Sequence, residues 1–280
     1  MEAEKVYREV DMQMTVREYT RGDVGAMSAL WLRVFGDSER YVADFFRLLP
    51  DTGSAAVAVG PDGTLAGMAA ALTGFELVEA KRRRVCGYIY AVAVDEARRG
   101  AGLGAELSRA AADICCRRGA EIVATFPAEE SLYAWYEKTA GLSERLYRKK
   151  RVVHAEKKVD IMQLSTTEYM LWRERYLQGR TFMRLSYPML ETQHALLRAY
   201  GGGFYASSDG VFAACRGEKS AEIKELLCPQ GFEADTAASA AELLGCREAV
   251  YFEPSAAGEE SYICSDRPLA AEAHWQLTLD

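Results

Sequence analysis

The stretch VCGYIYAVAVDEARRGAGLGAELSRAAADICCRRG, residues 85–119, decides the fold. Val85 to Val94 is a continuous run rich in β-branched and aromatic side chains, the composition of a strand covered on both faces. Asp95 to Gly104 breaks the run with glycines at 100, 102 and 104. Ala105 to Arg118 then places Leu107, Ala110, Ala111, Ile114 and Cys115 on one side of a helix, and Gly119 closes it. A buried strand, a glycine-rich turn and an amphipathic helix, in that order, belong to an α/β domain.

Reading outward, the preceding residues supply the rest of a mixed sheet. Met14 to Tyr19 alternates as a strand, and Thr20 with Asp23 opens a helix whose Met27, Leu30, Trp31 and Val34 share one face. A second helix, Tyr41 to Leu49, is expected to stop at Pro50. Ala55 to Val59 and Leu65 to Phe75 form a hairpin across Pro61-Asp62-Gly63. Downstream, Glu121 to Phe126 is a strand, Ser131 to Ala140 a helix and Ser143 to Val152 a strand. The order β-α-α-β-β-β-α-β-α-β describes a mixed sheet flanked by helices, ending near residue 155.

A similar grammar restarts after that point. Asp160 to Leu164 is strand-like, Thr166 to Leu177 and Leu190 to Tyr200 are helical, and Gly203 to Ser207 with Gly210 to Ala214 makes a hairpin. Ala221 to Leu227 is a strand, residues 236–244 a helix, Ala249 to Phe252 a strand, and Trp275 to Leu279 a closing strand. Two units are therefore expected, 1–155 and 156–280, alike in element order. Their charges differ: 22 basic residues face 23 acidic ones up to residue 156, and 12 face 18 beyond it. The first unit is the better anion binder. The run Arg148, Lys149, Lys150, Arg151, Lys157 and Lys158 reads as a solvated strand edge or linker.

Composition excludes several classes. At 280 residues, 49% hydrophobic and a net charge of −7, the chain buries a substantial core and lacks the basic excess of a nucleic-acid surface. Seven cysteines without a CxxC pair, and only three histidines, give no zinc spacing and fit the reducing cytosol. The charged N-terminus has no signal-peptide core and no apolar run is long enough for a bilayer, so a cytoplasmic protein without a membrane partner is expected. An oligomer remains compatible with all of this.

The glycine turn is suited to an anion. Consecutive backbone N–H groups at a helix start converge without side-chain bulk, the helix dipole adds about 0.3–1 kcal/mol, and Arg98 or Arg99 supplies a charged donor. The spacing is neither the dinucleotide fingerprint G-x-G-x-x-G nor a P-loop, which needs GK[ST].

Arg99-Gly100-Ala101-Gly102-Leu103-Gly104 resembles the signature [RQ]-x-x-G-x-[GA] of the GNAT (GCN5-related) N-acetyltransferases. Ala91 to Asp95 is similar to the end of that family's fourth strand, and Tyr136 to Leu142 to its Tyr-x-Lys-x-Gly-Phe segment. The resemblance implies a sheet that splays after the fourth strand, with acetyl-CoA as cosubstrate. Its pantetheine arm would meet Val92 and Val94, and its pyrophosphate would meet Arg99, Gly100, Gly102, Leu103 and Gly104. Tyr136 would protonate the departing thiolate. The Tyr-to-Gly interval is one residue longer than the family's, so Tyr133, a turn earlier, is the rival acid; Glu129 stands where the family often has Asn. The second unit resembles a degenerate copy, as in tandem-GNAT proteins, because Pro229-Gln230-Gly231-Phe232 occupies its signature position.

The implied reaction moves an acetyl group from acetyl-CoA directly to a primary amine, whether a small amine, an aminoglycoside or a peptide. Glu76, Glu79 and Glu129 are candidate bases, directly or through water. The terminal carboxylate of Asp280 is another, since tandem acetyltransferases of aminoglycosides resemble this chain in layout and use theirs. No metal is required. The competing reading is a non-catalytic acyl-CoA-binding or sensing protein that keeps the glycine loop alone.

Overall fold

The computed structural model of the chain describes residues 14–155, 160–255 and 260–279. Strands β1 (Thr15–Glu18), β2 (Gly53–Val59), β3 (Leu65–Glu79) and β4 (Arg82–Val94) pair antiparallel in succession, and β4 then runs parallel to β5 (Ile122–Thr125). Alternate residues of these strands face two cores. Ala55, Val57, Met68 and Leu72 meet α1 (Val24–Phe35) and α2 (Glu39–Thr52), whereas Ala56, Ala58, Ala69 and Ala71 meet α3 (Leu103–Arg117) and α4 (Glu130–Ala140). The small residues on the second face let α3 lie close. At Gly87 an added Cβ would stand 2.4 Å from the Cβ of Cys115, so helix and strand touch backbone to side chain there.

The remaining elements are β6 (Glu144–His154), β7 (Met162–Leu164), α5 (Thr166–Leu177), β8 (Phe182–Leu185), α6 (Tyr187–Ala199), β9 (Gly203–Ala206), β10 (Val211–Arg216), β11 (Ala221–Leu227), α7 (Glu233–Leu243), β12 (Glu248–Ser255) and β13 (Glu260–Ser265). All join one sheet of order β1-β2-β3-β4-β5-β13-β6-β12-β11-β10-β9-β7, with β8 paired to the end of β3. Read inward from either edge, four antiparallel strands lead to one parallel pair, β4 with β5 and β11 with β12. At the centre the strands cross over. β6 follows β5 in sequence but pairs with β12, while β13 follows β12 and pairs with β5. The larger core likewise draws on both sides of residue 155, packing Trp31 and Phe45 with Met189, Phe204 and Trp275 in one cluster. Each such side chain, fully withdrawn from water, contributes about 1.5–3 kcal/mol.

Four readings of the sequence need correction. α2 continues through Pro50 to Thr52, because in the last turn the missing N–H costs one bond and the Gly53 N–H still reaches the Leu49 carbonyl. β8 and β13 lie where no strand was expected. Trp275 to Leu279 forms no strand ladder with the described residues, although Trp275, Leu277 and Leu279 are buried. The basic run is not on a sheet edge, since β6 lies between β12 and β13, although Lys150 and Arg151 are exposed. Arg148 pairs with Glu260 and lies 3.7 Å over the Phe252 ring, and Arg151 pairs with Glu253. Lys157, Lys158 and Asp280 lie outside the described residues.

Candidate active site

β4 and β5 share only three paired positions, Cys86 to Tyr88 against Ile122 to Ala124. The last tie is a side chain, the Thr125 hydroxyl donating to the Ile89 carbonyl at 2.8 Å. Beyond it the strands part around a cavity of about 870 Å³. On the other side of β4 the register slips, so that Ala91 and Val92 together oppose Ala69 of β3. Ala91 carries φ +50°, a conformation that costs a residue with a side chain on the order of 1–3 kcal/mol and is held here by the bulge. From Ile89 to Val94 the edge of β4 that faces β5 has no strand partner among the described residues. That edge offers backbone donors and acceptors to an extended ligand.

The strand leads into the glycine loop. The Asp95 carboxylate accepts from the Ala97 N–H at 3.2 Å and caps a short turn, Glu96–Arg98. Gly100 and Gly102 both adopt left-handed backbone, with φ +86° and +83°, and a side chain at either would enter open space. Gly102 is the N-cap of α3. The backbone N–H groups from Gly100 to Gly104 find no acceptor among the described residues, so five donors gather at the positive end of a 15-residue helix. Arg99 is exposed and its Nε donates to the Val94 carbonyl, leaving the rest of the guanidinium beside the loop. Leu103 is buried under α3 and brings only its backbone to the loop; Gly104 sits against Trp135 and Val94.

The two tyrosines of α4 have different surroundings. Tyr136 lines the cavity with Ile89, Val92, Thr125 and Phe126. Burial raises its pKa well above the ordinary phenol value, with the adjacent Thr125 side chain acting the other way. It is therefore protonated at neutral pH. Tyr133 is equally buried but faces away, donating at 2.6 Å to the Ser261 carbonyl on β13.

These features agree with what the chain is similar to. Residues 15–138 match the family model described as acetyltransferase (GNAT) domain. Residues 15–138 form a GNAT-fold acetyltransferase domain. Likeness in fold extends over most of the chain. A putative acetyltransferase from Pyrococcus horikoshii aligns with TM-score 0.60 and 16% identity over 95% of this chain and 92% of its own. A probable N-acyltransferase from Enterococcus faecalis V583 aligns with TM-score 0.67 and 15% identity over 91% of this chain and 72% of its own. A GCN5-related N-acetyltransferase from Kribbella flavida aligns with TM-score 0.63 and 15% identity, covering 90% and 71%. No curated protein matches the sequence.

In this GNAT domain the anticipated bases are not brought to the cavity. Glu76 pairs with Arg184 of β8 and Glu79 with Arg84, while Glu129 is exposed at the start of α4. The carboxylates that do line it are Asp37, Glu218 and Glu222. Asp37 accepts from the Trp31 indole at 2.7 Å and from the Tyr200 hydroxyl, and Glu222 pairs with Lys224 at 3.0 Å. Tyr90 reaches the cavity and shares a 2.7 Å hydrogen bond with Tyr41; Tyr88 packs in the core against Phe75 and Trp275.

The residues of the far wall escaped the sequence reading. Gln193, Leu196, Leu197 and Tyr200 of the α6 region, with the β10–β11 turn and Thr278 and Leu279, face the GNAT domain across the cavity. The available signal was the apolar spacing of α6, which marks a packed helix without saying what it packs over. Among the described residues no cluster of three metal-ligating side chains occurs, and no helix is long and apolar enough to cross a membrane. His194 bonds to Thr166, His274 to Glu225, and His154 is exposed on β6.

Proposed function

We propose that the protein transfers an acetyl group from acetyl-CoA directly to a primary amine. The observation that carries this reading is the parting of β4 from β5, which sets an open backbone edge, a protonated tyrosine and the glycine loop along one path. The N–H groups of Gly100, Gly102, Leu103 and Gly104, with Arg99, would hold the pyrophosphate. The edge at Val92 and Val94 would pair with the pantetheine arm and polarise the thioester carbonyl as negative charge develops on its oxygen. The amine nitrogen bonds to the carbonyl carbon, the carbon–sulfur bond breaks, and Tyr136 hands its proton to the leaving sulfur. The proton lost by the amine returns the phenolate to phenol through the cavity carboxylates or solvent, so the balance closes. Tyr133, spent on Ser261, takes no part.

Residues 1–155 and 156–280 are two copies of one plan that have exchanged their last strands, β6 and β13, and the second copy is degenerate. Its parallel pair opens after Ala221–Glu222, but the opening is bridged by the Gln276 side chain, whose Oε1 accepts from the Leu226 N–H at 3.1 Å and whose Nε2 donates to the Phe252 carbonyl at 2.7 Å. α7 begins with Glu233 and Asp235 in its first turn, which repel an anion. One CoA per chain follows, with the second copy walling the acceptor side. Seven free thiols support a cytoplasmic setting.

The test is release of free thiol from acetyl-CoA against a panel of primary amines, with the acetylated amine identified by mass. CoA binding without thiol release for any amine would instead favour the non-catalytic acyl-CoA-binding reading.

A further inference from the structure

Gln193 of α6 lines the same cavity as Tyr136, is only 3% exposed, and its Nε2 has no acceptor among the described residues. An amide donor left unpaired at that depth costs stability unless a ligand oxygen reaches it. Much of the cavity wall is aromatic. Trp31, Phe35, Tyr41, Tyr90, Phe126 and Tyr200 line the same cavity, with Trp31 edge-on to Tyr90 at 5.6 Å and Tyr41 tilted to Tyr200 at 5.5 Å. Phe35 and Tyr200 are 44% and 37% exposed, an arrangement that leaves aromatic surface free to receive a partner ring. Charge narrows the choice further. Among the described lining residues three carboxylates face two cations, Arg216 and Lys224, leaving one unbalanced negative charge. Both oxygens of Asp37 are already occupied by Trp31 and Tyr200.

We propose that Gln193 is a specificity residue for an acceptor of one class: a singly charged primary amine with an aromatic body and a carbonyl oxygen that the Gln193 amide binds, as in the amide of an aromatic amino acid. The chemistry rests on the acyltransferase reading, but the recognition does not. A polyamine or aminoglycoside would bring several positive charges to walls that balance one, and would leave the aromatic surface and the Gln193 donor unmatched. A simple arylalkyl amine fills the aromatic region but leaves the donor unpaired, which sites built around a hydrogen bond penalise.

The experiment uses the full chain with L-phenylalaninamide, 2-phenylethylamine, spermidine and kanamycin, measured both by thiol release from acetyl-CoA and by calorimetric binding with CoA present. The expected result is kcat/KM for phenylalaninamide at least about tenfold above that for 2-phenylethylamine, with spermidine and kanamycin lower still. Gln193→Met keeps the volume and removes the donor. It should bring the ratio of the two aromatic amines to about one, leave the affinity for CoA unchanged and raise the melting temperature, because an unpaired buried donor is gone. If no amine releases thiol yet phenylalaninamide binds wild type more tightly than Gln193→Met, the recognition stands and the acyltransferase reading falls. Preference for spermidine or kanamycin overturns the proposal, as does an unchanged ratio in Gln193→Met or the absence of both binding and turnover with phenylalaninamide.

Discussion

Tyr133 of α4 donates a 2.6 Å hydrogen bond to the Ser261 carbonyl of β13, a strand from the far end of the chain. The bond fastens the helix that carries Tyr136 to the strand lying between β5 and β6. Two tyrosines one turn apart are thus divided between tasks. Tyr133 anchors α4 at the sheet centre, and Tyr136 holds a proton in the cavity. β13 is a structural part of the site although it supplies no side chain to the cavity.

Tyr136→Phe should lower kcat and kcat/KM together by about 10²- to 10³-fold while CoA affinity stays at the wild-type value, since the ring packing is kept and only the proton donor is lost. Tyr133→Phe should leave kcat near wild type but cost about 1–3 kcal/mol of stability by leaving a buried carbonyl without its donor. Steady-state kinetics and urea melts of both variants decide the assignment. Loss of turnover in Tyr133→Phe with none in Tyr136→Phe would reverse it.

Gly102→Asp should weaken CoA binding at least about tenfold, by placing a carboxylate in open space at the N-cap of α3 where the pyrophosphate is expected. Gly102 has φ +83°, so any side chain is strained there, and Gly102→Asn serves as the control because asparagine tolerates that backbone. The charge effect is the difference between the two variants in calorimetry. Equal affinities for Gly102→Asp, Gly102→Asn and wild type would remove the loop from the binding site.

What could be read from the residues follows from where the constraint was local. Gly100 and Gly102 advertise a left-handed loop, and the face of Leu107, Ala111 and Ile114 advertises the helix behind it, so the anion end of the site was legible. The bulge at Ala91 was not, because alanine gives no hint that its φ is +50°. β8 has four residues, Phe-Met-Arg-Leu, too few for a period and recognisable only once paired with Phe75 to Val78. Trp275 to Leu279 shows the converse: its alternation is that of a strand, yet Thr278 is buried along with Leu277 and Leu279, and the segment's tie to β11 and β12 is the Gln276 side chain. The pairing of β6 with β12 and of β13 with β5 carries no local signal, since each strand would satisfy its backbone equally well beside either parallel pair.

Titration with CoA should return one site per chain, and Gln276→Ala should not create a second. Removing that amide opens the β11–β12 wedge but leaves Pro229 to Phe232 without a glycine series and α7 with two acids in its first turn. The variant should instead lose stability, by at most about 1–3 kcal/mol for each of the part-buried Leu226 N–H and Phe252 carbonyl groups that lose this partner. Two equivalent sites in either protein would show that the second copy still holds a cofactor.

The last prediction concerns Glu225, which is fully buried on β11. It accepts from Arg173 at 2.8 and 3.0 Å, from the Tyr169 hydroxyl at 2.8 Å, and lies 2.9 Å from the His274 Nε2, so one carboxylate ties α5 and the C-terminal segment to the sheet. Burial opposes its charge, but the Arg173 guanidinium and His274 override it and bring the pKa down to about 2. Because the folded value is below the unfolded one of about 4.3, the stabilisation is complete above pH 4.3 and fades as the pH falls toward 2. Glu225→Gln leaves the Arg173 charge uncompensated in the core and should cost about 3–5 kcal/mol at pH 7. Comparing wild type with Glu225→Gln at pH 7, 4 and 3 cancels the other carboxylates, which titrate in both proteins. The gap in unfolding free energy should be wide at pH 7 and narrow progressively below pH 4; a gap of constant size at all three values would mean that Glu225 contributes shape and hydrogen bonding alone, with its charge playing no part in holding the C-terminal segment against the sheet.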